Sequence, residues 1–335
     1  MKAMVYTEYG SPDVVKLTEV SKPVPKDDEV LVKIHAASVN AADWRLVRAD
    51  PFLVRLYAGL LKPGKFSVLG ADIAGRVEAV GGKVKQFQPG DEVFGDVSGS
   101  GFGGFAEYKC AREEELALKP ANLTFEQAAA VPLAALTALH GLRDKGKIRP
   151  GQKVLINGAS GGVGTFAVQL ARHFEAEVTA VCSAGKAEQA RSLGAGHVID
   201  YTREDFTRSG RQYDLILAVN GNRSIFDYRR LLSPRGTYVM IGGGVAQLFQ
   251  ALLLGPWLSL AGGRKLGALT SKPNQPDLRL LKELLETRKI RSVIDRCYLL
   301  SELPEALRYV EAGHATGKVV IAVEGARIAI PFQPA

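Results

Sequence analysis

The 335-residue chain is poor in cysteine: it has three, Cys110, Cys182 and Cys297, far apart and with no CxxC among them. That excludes a disulfide scaffold and a zinc ribbon, and it suits a reducing cytoplasm. The opening stretch MKAMVYTEYG lacks the apolar core and small-residue cleavage site of a signal peptide, and no transit sequence is evident. There is also no uninterrupted apolar run of the roughly 20 residues that a spanning helix needs. The most apolar stretch, VAQLFQALLLGPWLSLAGG at 245–263, is broken by Gln247, Gln250 and Gly255-Pro256. It is expected as a helix packed on the core, a substrate pocket or a subunit neighbour, with interfacial membrane contact as the alternative. Histidine is sparse: His35, His140, His173, His197 and His314 are scattered, and none forms an obvious acid/base couple with a carboxylate. What the chain has in excess is positive charge, +8 in total. It is spread without a block and diluted by interleaved acids, which fits anionic small molecules better than nucleic acid.

The length points to two domains. The first 122 residues alternate in short runs such as VLVKIHAASV (30–39) and RVEAVG (76–81), punctuated by turns such as KPVPKDDE and QPGDEVFG. This is the pattern of a mainly antiparallel, barrel-like β domain. Over 123–290 the rhythm changes. Six short apolar runs, KVLIN, EVTAVC, HVI, DLILAV, GTYVMI and KLGALT, alternate with helical segments such as GVGTFAVQLARHF. That implies a doubly wound parallel sheet of six strands, an α/β fold. From 291 to 335 β character returns and the chain rejoins its first domain.

KVLINGASGGVGTFAVQLARHF reads as strand, glycine loop and helix, the context in which a glycine motif carries meaning. Gly158, Ala159, Ser160, Gly161, Gly162, Val163 and Gly164 form A-x-G-x-x-G with extra backbone freedom. A missing side chain at Gly161 lets the main chain approach a pyrophosphate, and Gly164 allows close helix-to-strand packing. Cys182 stands about 18 residues past Gly164, where such a site usually places an acid for the ribose 2′-hydroxyl. Without that acid a barrier to a 2′-phosphate is gone, and NADPH (NADP+) is the expected cofactor. Ser183 and Lys186 offer a phosphate clasp, and Tyr201 a hydroxyl at the same corner. The bland alternative for Lys186 is a solvated residue of the next helix. Cys182 has only Lys186 near it to lower its pKa, so it is expected as a small, partly buried residue and not as a nucleophile.

With both halves in view, the chain resembles the medium-chain dehydrogenase/reductase superfamily, in particular its zinc-free quinone oxidoreductase-like branch. The resemblance rests on AASVNAADWRL (36–46), LGADIAGRVEAVG (69–81), FQPGDEVFG (87–95), GGFAEY (103–108), the GASGGVG loop and GHATGKVVI (313–321). It implies a GroES-like catalytic domain, a Rossmann domain, a cofactor in the cleft between them, and a homodimer formed through Rossmann sheet edges. Zinc relatives carry a metal-binding Cys near Val39 and a His-Glu pair at Ala71-Asp72, and four cysteines around 95–112, where this chain has Cys110 alone. Three or more ligands are therefore not available and no metal is expected. Relatives often have Gly at the position of Glu175, ending the helix in a left-handed turn.

The resemblance also implies site residues. Asn40 of V-N-x-x-D faces the nicotinamide and substrate as the hydrogen-bond donor that polarises an acceptor oxygen; Asn40 and Asp43 also read as a helix cap. Thr137 approaches the nicotinamide end, or bonds its own helix backbone; Asn220, Gly242 and Gly243 approach the nicotinamide ribose; and Lys318 returns towards the cofactor, or is a surface lysine. Trp44 and Tyr57 shape an acceptor pocket, or belong to the core. The expected activity is NADPH-dependent, zinc-independent hydride transfer to a small-molecule quinone or to the β-carbon of an activated enone or enal. A metal-free carbonyl reductase or alcohol dehydrogenase fits the same residues. A dinucleotide-binding regulatory or membrane-associated protein with little turnover is the reading from another class.

Overall fold

The computed structural model describes residues 1–64, 67–260 and 263–323. The end of the expected 291–335 return, from 324 on, and two positions of the 245–263 segment lie outside the described residues. In chain order the strands are β1 (Lys2–Val5), β2 (Lys16–Glu19), β3 (Glu29–Val39), β4 (Asp72–Val80), β5 (Glu92–Asp96), β6 (Tyr108–Arg112), β7 (Leu116–Leu118) and β8 (Lys153–Asn157). There follow β9 (Glu177–Cys182), β10 (His197–Asp200), β11 (Tyr213–Ala218), β12 (Leu232–Met240), β13 (Lys265–Ala268), β14 (Ile294–Leu299) and β15 (Lys318–Ala322).

Two compact units form. The first contains Met1–Leu133, Lys272–Arg288 and the described residues from Ser292 on. Its larger sheet runs β14-β15-β3-β4-β5-β7, with β6 also paired to β3, and every pairing except β14 with β15 is antiparallel. Val30, Val32 and Ile34 of β3 alternate into a core with Ile73, Val77, Val93 and Leu116, which is the period-two burial that the sequence pattern announced. The pairing of β3 with β4 is irregular between Ile34 and Ala36. Gly75 sits against that irregularity, and a Cβ there would lie 2.1 Å from the Lys33 carbonyl oxygen. A second core gathers Met4, Tyr6, Val39, Leu46, Val47, Leu69, Phe105 and the helix Leu303–Glu311 through Leu303 and Leu307.

The boundaries differ from the expected 122/123 and 290/291. Residues 123–133 and 272–288 belong with the β unit, because the helix Gln275–Glu286 is tied to it by polar contacts that its sequence does not advertise. Gln275 Nε2 donates to the Leu116 carbonyl (2.9 Å) and the Glu113 carbonyl (3.2 Å), and Asn122 Nδ2 donates to the Leu285 carbonyl (3.1 Å).

The second unit contains Ala134–Ser271 and Lys289–Arg291 among the described residues. Its sheet is parallel throughout, in the order β10-β9-β8-β11-β12-β13. This is the six-stranded Rossmann arrangement, and the six expected runs supply its strands. Leu155, Ile216 and Tyr238 stand among its buried side chains, as a sheet covered on both faces requires. The chain winds one way from β8 and then crosses to the other side at β11, so the strand order reverses between those two strands, the point beyond whose carboxyl ends sheets of this kind bind their ligands. Glu175 occupies the left-handed conformation (φ 58°) in which relatives carry glycine. The segment 245–263 is helical over Val245–Phe249 and Gly255–Leu260, joined by a π-helical turn. It buries Ala251 and Gly255 but leaves Leu252, Leu253, Trp257 and Leu260 exposed. No helix among the described residues is long and apolar enough to cross a membrane.

Candidate active site

In the second unit the glycine loop joins β8 to the helix Gly162–His173, capped at Gly161. Gly158 has a left-handed φ of 89°, and a Cβ on it would lie 2.9 Å from the Asn220 backbone nitrogen. A Cβ on Gly164 would meet the Gly158 carbonyl oxygen at 2.1 Å, so the helix closes onto the loop only because that atom is missing. Gly161 is different: a Cβ there would find its first neighbour at 4.0 Å. The open space beside Gly161, with the first-turn N–H groups of the helix left without helical acceptors, fits a pyrophosphate. Ala159 is fully buried, and its N–H and that of Gly158 donate to the Val181 carbonyl. Ser160, Gly162 and Val163 complete the loop at partial exposure.

The corner beyond β9 and β10 brings together residues far apart in sequence. Cys182 is buried at the end of β9, directly beside Asp200 in the parallel register. The Tyr201 N–H donates to the Cys182 carbonyl (3.2 Å), while the Tyr201 ring is half exposed. Ser183 follows Cys182, and its carbonyl accepts from the Lys186 N–H (3.0 Å). Burial raises the Cys182 thiol pKa, the Asp200 carboxylate adds to that, and Lys186 pulls the other way. A thiol held protonated in this way is a poor nucleophile, so Cys182 is a packing residue here. Asp200 was not anticipated. Its Oδ1 accepts from the Thr202 hydroxyl (2.7 Å) and N–H (3.0 Å), and those bonds hold its carboxyl below the usual range. The signal available in the sequence was the D-x-T spacing of HVIDYT, which reads as an Asx turn.

On the other side of the loop, Asn220, Gly242 and Gly243 lie past the ends of β11 and β12. The Asn157 carbonyl accepts from the Asn220 N–H (3.1 Å), and Asn157 Nδ2 donates to the Tyr228 hydroxyl (2.7 Å). Gly221 and Gly243 form a parallel bridge, and a Cβ on Gly243 (φ 147°) would lie 2.4 Å from the Gly221 carbonyl oxygen. Gly242 approaches the Val219 carbonyl as closely as glycine allows. Thr137 is half-buried on the helix Pro132–Leu139.

The first unit holds a buried polar cluster around Asn40. Asp72, at the start of β4, is fully buried, and four donors converge on its carboxylate. Oδ2 accepts from Ser38 Oγ (2.6 Å), Asn40 Nδ2 (2.9 Å) and Lys318 Nζ (3.0 Å); Oδ1 accepts from the Leu133 N–H (2.7 Å). Lys318 Nζ also donates to Asn40 Oδ1 at 2.5 Å. The sequence reading left Lys318 as a residue near the cofactor or a surface lysine; the structure rules out the surface by burying it at 2% exposure, its ammonium committed to Asp72 and Asn40. Asn40 does precede the helix Ala41–Arg48, and the Asp43 carboxylate accepts from the Asn40 N–H (2.7 Å) and the Gly70 N–H (3.1 Å). Asp43 is thus the backbone anchor expected of it. Burial pushes its pKa up to about 7 against those two N–H groups, with the nearby Asp72 charge adding to the rise. Asp96, opposite Asp72 in β5, is pushed up to about 6 by burial and by the same charge. Trp44 packs partly buried on the second core with the Arg45 guanidinium over its ring at 4.8 Å, whereas Tyr57 is 56% exposed.

Comparison with known proteins matches residues 26–121 to an alcohol dehydrogenase GroES-like domain and residues 193–321 to a zinc-binding dehydrogenase model. A 2-methylene-furan-3-one reductase from Solanum lycopersicum is 36% identical, covering 96% of this chain and 79% of its own. An NADPH-dependent alkenal/one oxidoreductase, chloroplastic, from Arabidopsis thaliana is 35% identical over the same shares of the two chains. The quinone oxidoreductase structure from Coxiella burnetii superposes with a TM-score of 0.87 at 30% identity, covering 97% of this chain and 99% of that one.

The folded protein holds the Asp43 proton at pH values where an unfolded Asp, with a pKa of about 3.9, has already lost it. Asp43 therefore favours folding less and less as pH rises from about 4 to about 7, and its contribution is flat above that. The 13C shift of the Asp43 carboxyl should titrate near pH 7; a titration near pH 4 would refute the buried, proton-holding state.

Proposed function

Because the chain belongs to the medium-chain dehydrogenase/reductase superfamily, as an oxidoreductase of the quinone oxidoreductase-like kind, we propose that it uses NADPH to reduce a quinone or an activated enone or enal without zinc. The observation that carries this reading is the carboxyl edge of the parallel sheet. There the open Gly161 loop and the end of β9, which carries Cys182 in place of an acid and has the Asp200 carboxylate beside it bonded to Thr202, stand with Ser183, Lys186 and Tyr201. The loop N–H groups hold the pyrophosphate, Ser183, Lys186 and Tyr201 the 2′-phosphate, and Asn220, Gly242 and Gly243 the nicotinamide ribose. NADPH, when bound, supplies the hydride. Asn40 donates a hydrogen bond to the acceptor oxygen, so that charge developing there is stabilised as the β-carbon or quinone is reduced.

Zinc independence is supported by chemistry at Asp72. Its oxygens already take four donors, one of them an ammonium that would repel a metal cation. The names of two relatives point to conjugated carbonyls: 2-methylene-furan-3-one is itself an enone, and the other acts on alkenals and alkenones. Cys110, Cys182 and Cys297 form no disulfide, which agrees with a reducing compartment, in our reading the cytoplasm.

A homodimer is the matching proposal for the second unit. Strand β13 ends the sheet, with no strand paired to its outer edge among the described residues, and Leu252, Leu253, Trp257 and Leu260 are exposed on the helical segment that packs beside it. An open strand edge next to exposed apolar side chains is what a second copy of this chain would cover.

The test is direct. Purified protein is mixed with NADPH or NADH and a panel of quinones, enones, enals and simple aldehydes, and cofactor oxidation is followed by absorbance. Turnover is expected with NADPH and at least one quinone or conjugated carbonyl. Tight NADPH binding with no turnover would favour a regulatory role, and activity confined to simple aldehydes would favour a carbonyl reductase. Cys182→Asp combined with Lys186→Ala should lower the NADPH to NADH efficiency ratio by about tenfold or more, the size expected for losing a charged hydrogen bond; an unchanged ratio would remove the clasp. For the dimer, light scattering should give twice the monomer mass for the wild type and monomers for Trp257→Glu. A wild type that is monomeric at micromolar concentration would overturn that assignment.

A further inference from the structure

We infer that Asp72 and Lys318 are positioning residues that hold the side-chain amide of Asn40 in one orientation and strengthen it as a hydrogen-bond donor. This rests on the reading of Asn40 as the donor to the acceptor oxygen. The amide of an asparagine is nearly symmetric in shape, so its two ends are distinguished only by what they face. Here they face opposite chemistry. Oδ1 receives the Lys318 ammonium at 2.5 Å, and Nδ2 gives a proton to the Asp72 carboxylate at 2.9 Å. A flipped amide would set Nδ2 against the ammonium and Oδ1 against the carboxylate, two donors together and two acceptors together in a site where all three side chains are buried. In so dry a place unmatched polar contacts are expensive, so a single orientation survives.

The second consequence is electronic. A charged donor on Oδ1 draws density from the amide nitrogen, and hydrogen bonds in a chain polarise one another in this way. One Nδ2 proton goes to Asp72. The other has only the Ser38 carbonyl, at a long 3.4 Å, and is the proton left for an acceptor oxygen. Asn40 as a whole keeps 8% exposure. The backbone is fixed separately, by the Asp43 carboxylate on the Asn40 N–H. Asp43 therefore places the residue, and Asp72 with Lys318 aims its amide. Lys318 comes from the last described strand and Asp72 from β4, and Ser38 Oγ supports Asp72 from β3 next to Asn40.

Three variants separate this from its premise. Asn40→Asp keeps the shape and removes the donor; kcat should fall roughly a hundredfold, as for the loss of a donor to a developing oxyanion. Lys318→Met leaves Asp72 buried without its cation and is at risk of misfolding. Asp72→Asn/Lys318→Met removes both charges together, and the amide at 72 can accept Asn40 in either orientation. In that double variant kcat should fall about tenfold or more while the acceptor KM and the NADPH Kd stay within about twofold and circular dichroism is unchanged. A folded double variant with kcat within twofold of wild type, beside a crippled Asn40→Asp, overturns the positioning role alone. An unaffected Asn40→Asp overturns the premise. Should the double variant fail to fold, the wild type still decides: the two Asn40 Nδ2 protons, observed in 15N-labelled protein, should be resolved and protected from solvent exchange. Exchange as fast as in an exposed asparagine would overturn the proposal.

Discussion

The Asp72 carboxylate is the point on which the first unit turns. It is fully buried, and it draws Ser38 and Asn40 from β3 and its far end, Lys318 from β15, and the Leu133 N–H from the start of a helix. Strands β15, β3 and β4 are neighbours in the sheet, so the cluster cross-links them by side chain where the ladder already joins them by backbone. Breaking such a buried pair by removing one partner typically costs about 3–5 kcal/mol, because the survivor is left charged in a medium that does not solvate it. That cost makes the arrangement all-or-none.

The same charge governs its surroundings. Asp43 and Asp96 are buried within its field, and both are pushed up in pKa, first by burial and then by Asp72. Against these three acids Lys318 places its ammonium 3.0 Å from Asp72. Raising two of the three pKa values towards neutrality relieves an excess of negative charge that burial would otherwise make prohibitive.

The second unit works by the opposite means. Its edge depends on atoms that are missing: no Cβ at Gly158, Gly164, Gly242 or Gly243, where one would strike a backbone atom, and none at Gly161, where the space is left open. Backbone geometry sets that site, and backbone geometry follows from local sequence, which explains why it was legible from the start. The strand runs, the glycine loop and the placing of residues 182 and 201 just past strand ends followed from periodicity and turn chemistry, while the helix end at residue 175 and the place of Asn220 came with the family resemblance. The two domain boundaries and Asp200 did not, because each depends on which side chains meet across the fold. Gln275 reaching the Leu116 carbonyl is invisible in a helix whose pattern is merely amphipathic.

By itself the sequence determined the doubly wound sheet, the β domain that precedes it and the dinucleotide loop, since each is written in spacings of a few residues that steric and hydrogen-bonding rules translate directly. Only the tertiary structure decided what Lys318 does. Read in its local context, a lysine after glycine near the end of the chain is an ordinary surface cation or a cofactor ligand. Its burial against Asp72 and Asn40 arises because β15 lies beside β3, a contact between segments more than 270 residues apart. No local rule encodes such a contact, because the energy of a buried charge depends on every group that surrounds it.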